Sequence, residues 1–195
     1  MITDNRVDYA SGIELLSMSS GAPVPTSAHL RVTNSVIARN QGGGSAAIFA
    51  IRFSGECLLE LINSTVTGNE GRAPHGEDAE GAIVLNEATA NITNTILWGN
   101  VVVPSDPGAD LDVGADAVAN VGYSDVGASK GVFGGVVNDL GANVSVDPQL
   151  SGFALAGTSP LIDAGTCTGA PSEDIDGDPR PSGAGCDIGA DELVP

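Results

Sequence analysis

Asn34-Ser-Val-Ile-Ala-Arg-Asn40, Asn63-Ser-Thr-Val-Thr-Gly-Asn69 and Asn94-Thr-Ile-Leu-Trp-Gly-Asn100 are three copies of one heptad. The opening asparagines lie 29 and 31 residues apart, and 29 residues further on stands Tyr123, with Ser124 and Val126 at the places of the hydroxyl and aliphatic residues. The fourth copy keeps the pattern but not its opening Asn. Before each anchor the pairs Leu30 and Val32, Leu59 and Leu61, Ala90 and Ile92, and Ala119 and Val121 alternate as a strand with one buried face does. After the anchor the inward set slips by one residue, to Ser35 and Ile37, Ser64 and Val66, Thr95 and Leu97, and Ser124 and Val126. A slip in a period of two requires a bend, and Asn34, Asn63 and Asn94 suit it: Asn tolerates the left-handed conformation, and its amide can bond the amide one repeat away. A further strand recurs at Gly12–Leu16, Ala46–Ala50, Gly81–Leu85 and Asp110–Val113.

Short strands at a period near 30, with Asn at the corners, predict an all-β chain: a right-handed parallel β-helix, or solenoid, of about five coils over residues 1–143. An antiparallel sandwich also has many short strands, but its hairpins have no need of the same anchor at each repeat. The spans 17–27 and 70–80 vary as loop insertions do. Met1–Asn5 fits the second half of the heptad, so the expectation is a chain that starts in mid-coil with no N-terminal cap. Either the chain is then the C-terminal piece of a longer protein, or its uncovered strand edges at residues 1–16 pair two copies into a homodimer.

Among the 195 residues, 25 Asp and Glu face 7 Lys and Arg, a formal net charge of −18. Such a surface repels phosphate backbones and anionic lipid, which argues against nucleic acid and membrane surfaces as partners and in favour of divalent cations. Hydrophobic residues make up 42%, too many for a disordered acidic tail, while one Trp, two Tyr and four Phe leave the core to aliphatic side chains. No run of about eighteen apolar residues predicts a membrane span, and no basic segment leads into an apolar one as in a signal peptide.

From Val144 the pattern changes, which sets residues 144–195 apart as a last coil and an irregular C-terminal cap. The stretches Ser159-Pro-Leu-Ile-Asp-Ala-Gly165, Asp174-Ile-Asp-Gly-Asp-Pro-Arg180 and Asp187-Ile-Gly-Ala-Asp-Glu192 follow the Asn heptads and the Tyr123-Ser-Asp-Val126 word. This combination resembles the C-terminal part of bacterial right-handed parallel β-helix proteins of the choice-of-anchor Q kind. The resemblance implies a pectate-lyase-like fold and an extracellular or cell-surface setting. It implies no defined reaction.

Asp163, Arg180 and Glu192 are expected to pair over the last coil, with Pro179 and Pro181 stiffening the turn. Asp174, Asp176 and Asp178 alternate around Gly177, with Asp187 beyond them, and alternating carboxylates suit a hard cation such as Ca²⁺, although the later Glu of a complete calcium loop is missing. In an exported protein, Cys167 and Cys186 are spaced to close a disulfide around this loop. A second candidate for a divalent metal is His75 with Glu77, Asp78 and Glu80. His29 is expected on the surface, and Cys57, flanked by leucines, as a buried thiol.

A lyase of this fold needs cations arrayed along one face to hold a polyuronate, but Lys130 is the sole lysine and the six arginines share no place in the repeat. A glycoside hydrolase needs carboxylates on adjacent coils, yet Glu14, Glu60 and Glu87 share no offset from the anchors. The expectation is therefore a non-catalytic module for adhesion or polysaccharide binding, stabilised by Ca²⁺. The alternatives are a metal-dependent hydrolase and a polysaccharide lyase or hydrolase fragment.

Overall fold

The computed structural model describes residues 1–6, 12–18, 27–43, 45–72, 81–103, 110–131 and 135–194. Its elements are all strands: β1 (Ile2–Thr3), β2 (Ile13–Ser17), β3 (Ala28–Thr33), β4 (Val36–Ala38) and β5 (Gln41–Gly43). The next repeats give β6 (Ile48–Arg52), β7 (Cys57–Ile62), β8 (Thr65–Thr67), β9 (Glu70–Arg72), then β10 (Ile83–Asn86), β11 (Thr89–Thr93), β12 (Ile96–Trp98) and β13 (Val101–Val103). The last are β14 (Leu111–Val113), β15 (Val118–Gly122), β16 (Asp125–Val126), β17 (Ser129–Gly131) and β18 (Val136–Asp139), followed by a small hairpin of β19 (Leu150–Ser151) and β20 (Ala154–Leu155).

Strands one repeat apart are neighbours and all these pairs are parallel. The sheets run β1-β4-β8-β12-β16, β2-β6-β10-β14-β17, β3-β7-β11-β15-β18 and β5-β9-β13. This is consistent with a parallel β-solenoid. Register follows the heptads: Ile2, Ile37, Val66, Leu97 and Val126 form one column, and Leu30, Leu59, Ala90, Ala119 and Val137 another. Both columns point inward and all but the exposed Val137 pack in one aliphatic core, joined by Ile48, Ile83 and Leu111 from the second sheet. A layer this thin has room for ladders of branched side chains, which accounts for the scarcity of rings.

Two bends flank the three-residue strands, where the inward slip by itself implied one. Asn34, Asn63, Asn94 and Tyr123 have φ of 47°, 45°, 50° and 52°. The residues just before the closing Asn, namely Asp4, Arg39, Gly68 and Gly99, have φ of 60°, 56°, 63° and 69°. With both corners left-handed, the chain leaves and re-enters the strand direction within seven residues.

The C-terminal segment, read from the sequence as a last coil and a cap, keeps one parallel bridge to the stack, from Val144 to Asp125. It lies along the side of the stack, on the outer face of the sheet containing β4, β8 and β12. Ile188, Leu161 and Leu155 pack on Ile96, while Ala190, Ile175 and Phe153 pack on Val36 and Ala38. The backbone N–H of Ala190 donates to Thr65 Oγ1 at 3.1 Å, and that of Gly189 to the Asn94 carbonyl at 2.9 Å. Gly189 sits at φ 120°, which strains any L side chain, and a Cβ there would lie 2.8 Å from Ile96 Cδ1 and displace it. Consequently Val36, Thr65, Ile96 and Asp125, the outward column of these strands, are all buried to 1% exposure or less. The heptads carried the signal: Val36-Ile-Ala38 and Ile96-Leu-Trp98 are unbroken apolar runs, as strands covered on both faces are.

Candidate functional site

Two asparagine columns do different work. The closing residues form an unbroken ladder: the side-chain amide of Asn5 donates to Asn40 Oδ1 at 2.9 Å, Asn40 to Asn69 at 2.9 Å, Asn69 to Asn100 at 2.8 Å, and Asn100 to Asp110 Oδ1 at 2.7 Å. Each Oδ1 also accepts the backbone N–H of the preceding rung. Asp110 ends the ladder as a pure acceptor, its Oδ2 taking the Ala128 N–H at 2.9 Å. Burial pushes its carboxyl above the ordinary range, against the Asn100 and Ala128 donors that favour the charge.

The opening asparagines, expected to form that ladder, share one rung, from Asn94 to Asn63 at 3.1 Å. Their remaining donors hold the lateral segment. Asn34 donates to the Glu173 carbonyl at 2.5 Å, Asn63 to that of Asp187 at 3.4 Å, and Asn94 to that of Thr166 at 2.6 Å while accepting the Thr166 N–H at 2.9 Å. Three successive repeats thus clasp three points of one aperiodic chain.

Inside that segment the carboxylates accept backbone amides. Asp174 Oδ1 takes the N–H groups of Asp176 and Asp178, both at 2.8 Å, and its Oδ2 that of Glu192 at 2.9 Å. Burial raises its pKa, but the amides of Glu192, Asp178, Asp176 and Gly177 outweigh that and hold the carboxyl below its ordinary value. Asp187 takes the Asp163 N–H on Oδ1 and the Leu193 N–H on Oδ2, each at 2.7 Å; here burial prevails and, with the Glu192 and Asp163 charges, pushes the carboxyl up. Arg180 and Glu192 form an ion pair at 2.7 Å with side-chain exposures of 0% and 1%. Arg180 also donates to the carbonyls of Gly189 and Ala190. Asp163 stands outside the pair and accepts the Gly185 N–H at 2.7 Å. Cys167 and Cys186 are disulfide-bonded with Cα atoms 5.3 Å apart, closing the chain around this network.

Of the expected Ca²⁺ ligands Asp174, Asp176, Asp178 and Asp187, Asp174 and Asp187 turn both side-chain oxygens to backbone amides. A cation needs several oxygens turned to one point, and among the described residues no three Asp, Glu, His or Cys side chains are so grouped. The alternating Asp residues build a turn in which Asp174 faces inward to amides and Asp176 faces solvent. The second candidate, His75 with Glu77, Asp78 and Glu80, lies outside the described residues.

The outer face of the third sheet carries a polar column. In register across β3, β7, β11, β15 and β18 stand Arg31, Glu60, Asn91, Asn120 and Asn138. The Asn120 amide donates to Asn91 Oδ1 and the Asn138 amide to Asn120 Oδ1, both at 2.9 Å. Beside this column the exposed His29 meets Glu60 at 2.7 Å, and Thr89 and Thr93 flank Asn91 on the same face. The period-2 pattern marked these positions as outward, but pairing asparagines across repeats needed the register. Cys57 is a buried free thiol, its pKa pushed up by burial and only partly offset by Arg52. Comparison with family models, with curated proteins and with solved structures returns no match.

Proposed function

We propose that this chain is a non-catalytic module of a right-handed parallel β-helix protein of the choice-of-anchor Q kind, with about five coils, that binds a neutral polysaccharide at an exported or cell-surface location. The observation that carries the reading is the rigid amide column Asn91, Asn120 and Asn138 on the outer face of the third sheet. Neighbouring strands set these amides about 4.8 Å apart, and their mutual bonds fix each rotamer, so contact with sugar hydroxyls costs little ordering entropy. A polyuronate would meet a chain of net charge −18, which favours an uncharged glycan. The disulfide between Cys167 and Cys186 agrees with an oxidising compartment. The carboxylates of Asp174, Asp187 and Glu192, engaged by backbone amides or Arg180, are structural groups in this reading.

Affinity electrophoresis through soluble neutral polysaccharides and through polyuronates tests it. Retardation by a neutral polysaccharide, lost in an Asn91→Ala/Asn120→Ala double variant with an unchanged circular dichroism spectrum, is expected. Turnover of a glycan, or retardation that survives the double variant, would overturn it.

A further inference from the structure

The last repeat changes what its inward positions carry. In register, Ser129 of β17 follows Ile48, Ile83 and Leu111, and Asp139 of β18 follows Leu61, Ile92 and Val121. A hydroxyl and a carboxylate thus stand where earlier repeats put branched aliphatic side chains, and neither fills the space beside Leu111 and Val121. A cavity of about 300 Å³ lies there, with Val126, Val137 and Val144 completing its apolar lining and Ser129, Asp139, Asn143 and Ser145 its polar one. Leu111 and Val121, 0% and 3% exposed, form its depth, whereas Ser129, Asp139 and Ser145 are exposed and form its mouth.

Hydrogen bonds fix this surround. Asn143 accepts the Ser124 N–H at 3.0 Å and donates to the Val121 carbonyl at 2.7 Å and to Asp139 Oδ1 at 2.6 Å. The Gly141 N–H donates to the same Oδ1 at 2.8 Å. Val144 donates its N–H to the Ser124 carbonyl at 2.9 Å and accepts the Val126 N–H at 3.0 Å. A preformed apolar cavity with a few placed polar groups is the usual form of a small-molecule site.

We propose that this cavity binds a small apolar molecule carrying a protonated amine, an alkyl- or arylammonium ion. The depth suits one ring or a short alkyl chain, since the volume stands at the lower end of the range of ligand cavities, about 300–1,000 Å³. The mouth selects the charge. Asp139 is the one charged side chain among the described residues that line the cavity, and its two hydrogen bonds both go to Oδ1, which leaves Oδ2 to receive an ammonium. A net charge of −18 draws organic cations towards this mouth and turns carboxylates away. A bare metal ion would find a single carboxylate there, and the apolar depth offers it nothing.

Titration of the full chain near neutral pH, followed through its methyl NMR resonances, tests the proposal with three compounds of one shape: phenethylamine, phenethyl alcohol and phenylpropionate. The amine is expected to shift the Val121, Val126, Val137 and Val144 methyls saturably and to bind about fivefold tighter than the alcohol, with phenylpropionate the weakest. Asp139→Asn should abolish that preference and leave the affinity for the alcohol unchanged. Ser129→Leu, which restores the aliphatic residue of its column, should fill the cavity and abolish the shifts, with the melting temperature unchanged or raised. Absence of saturable shifts, equal affinity for amine and alcohol, a preference that survives Asp139→Asn, or binding that survives Ser129→Leu would each overturn the proposal.

Discussion

The stack and the segment laid along it bury their polar groups by opposite means. In the stack each polar group meets its own kind one repeat away, as in the ladder from Asn5 to Asn100, and stability accumulates rung by rung. In the lateral segment nothing repeats: Asp174, Asp187 and Glu192 gather backbone amides, Arg180 neutralises the centre, and a disulfide closes the circuit. The opening asparagines form the seam between the two, using periodic positions to grip an aperiodic chain. Periodicity lets a thin core grow without end. A covering segment therefore needs its own organising network, because it has no neighbour of the same kind to lean on.

The largest effect is expected at the centre of the segment. Arg180→Met leaves the buried Glu192 carboxylate without its partner and should cost about 3–5 kcal/mol. Amide exchange should locate the loss in residues 148–194, while β7, β11 and β15 stay protected. Uniform loss of protection would erase the distinction between the regions.

Next comes Asp125, which stands in the outward column after Val36, Thr65 and Ile96. Burial, then the Asp110 and Asp147 charges, push its carboxyl up to about 7 against the Val146 N–H that favours ionisation, and its Oδ2 has no partner. A folded value above the unfolded one means that the stability this group contributes is complete below about pH 4 and is lost as pH rises through 7. Asp125→Asn should therefore stabilise by about 3 kcal/mol near pH 8 and by almost nothing near pH 4 in urea titrations. A pH-independent gain would put the carboxyl in contact with water.

The two columns should also differ. Asn69→Ala removes donors to Asn100 and to the Ile37 carbonyl together with an acceptor for Asn40, at a cost of about 3 kcal/mol. Asn63→Ala, which loses a long bond to Asp187 and one rung to Asn94, should cost about half as much. Equal losses in chemical denaturation would contradict separate roles. The smallest effect is a gain: Tyr123→Asn places at φ 52° a residue that tolerates it, raising stability by up to about 1 kcal/mol.

Much of the stack was legible in the sequence because the inward columns, the bend at Asn34, Asn63 and Asn94, and the strand positions all follow from spacing. Which asparagines pair was not legible. Opening and closing residues recur with the same period, and only the second left-handed corner, at Arg39, Gly68 and Gly99, turns the closing row inward. The lateral position of the C-terminal segment was half-written in the double-faced apolar runs at 36–38 and 96–98. The alternation of Asp174, Asp176 and Asp178 reads alike for a cation loop and for a turn stabilised by amides, since spacing carries no record of where backbone N–H groups point. The candidate at His75, Glu77, Asp78 and Glu80 stays a statement about sequence.

The central claim is that residues 148–194 run beside the stack and not over its end, and a methyl NOESY spectrum tests it most directly. Cross-peaks from the Ala190 methyl to Val36 and Ala38, and from Ile188 to Ile96, are the expected result. Cross-peaks from Ala190 and Ile188 to Val126, Val137 and Val144, with none to the early repeats, would contradict it.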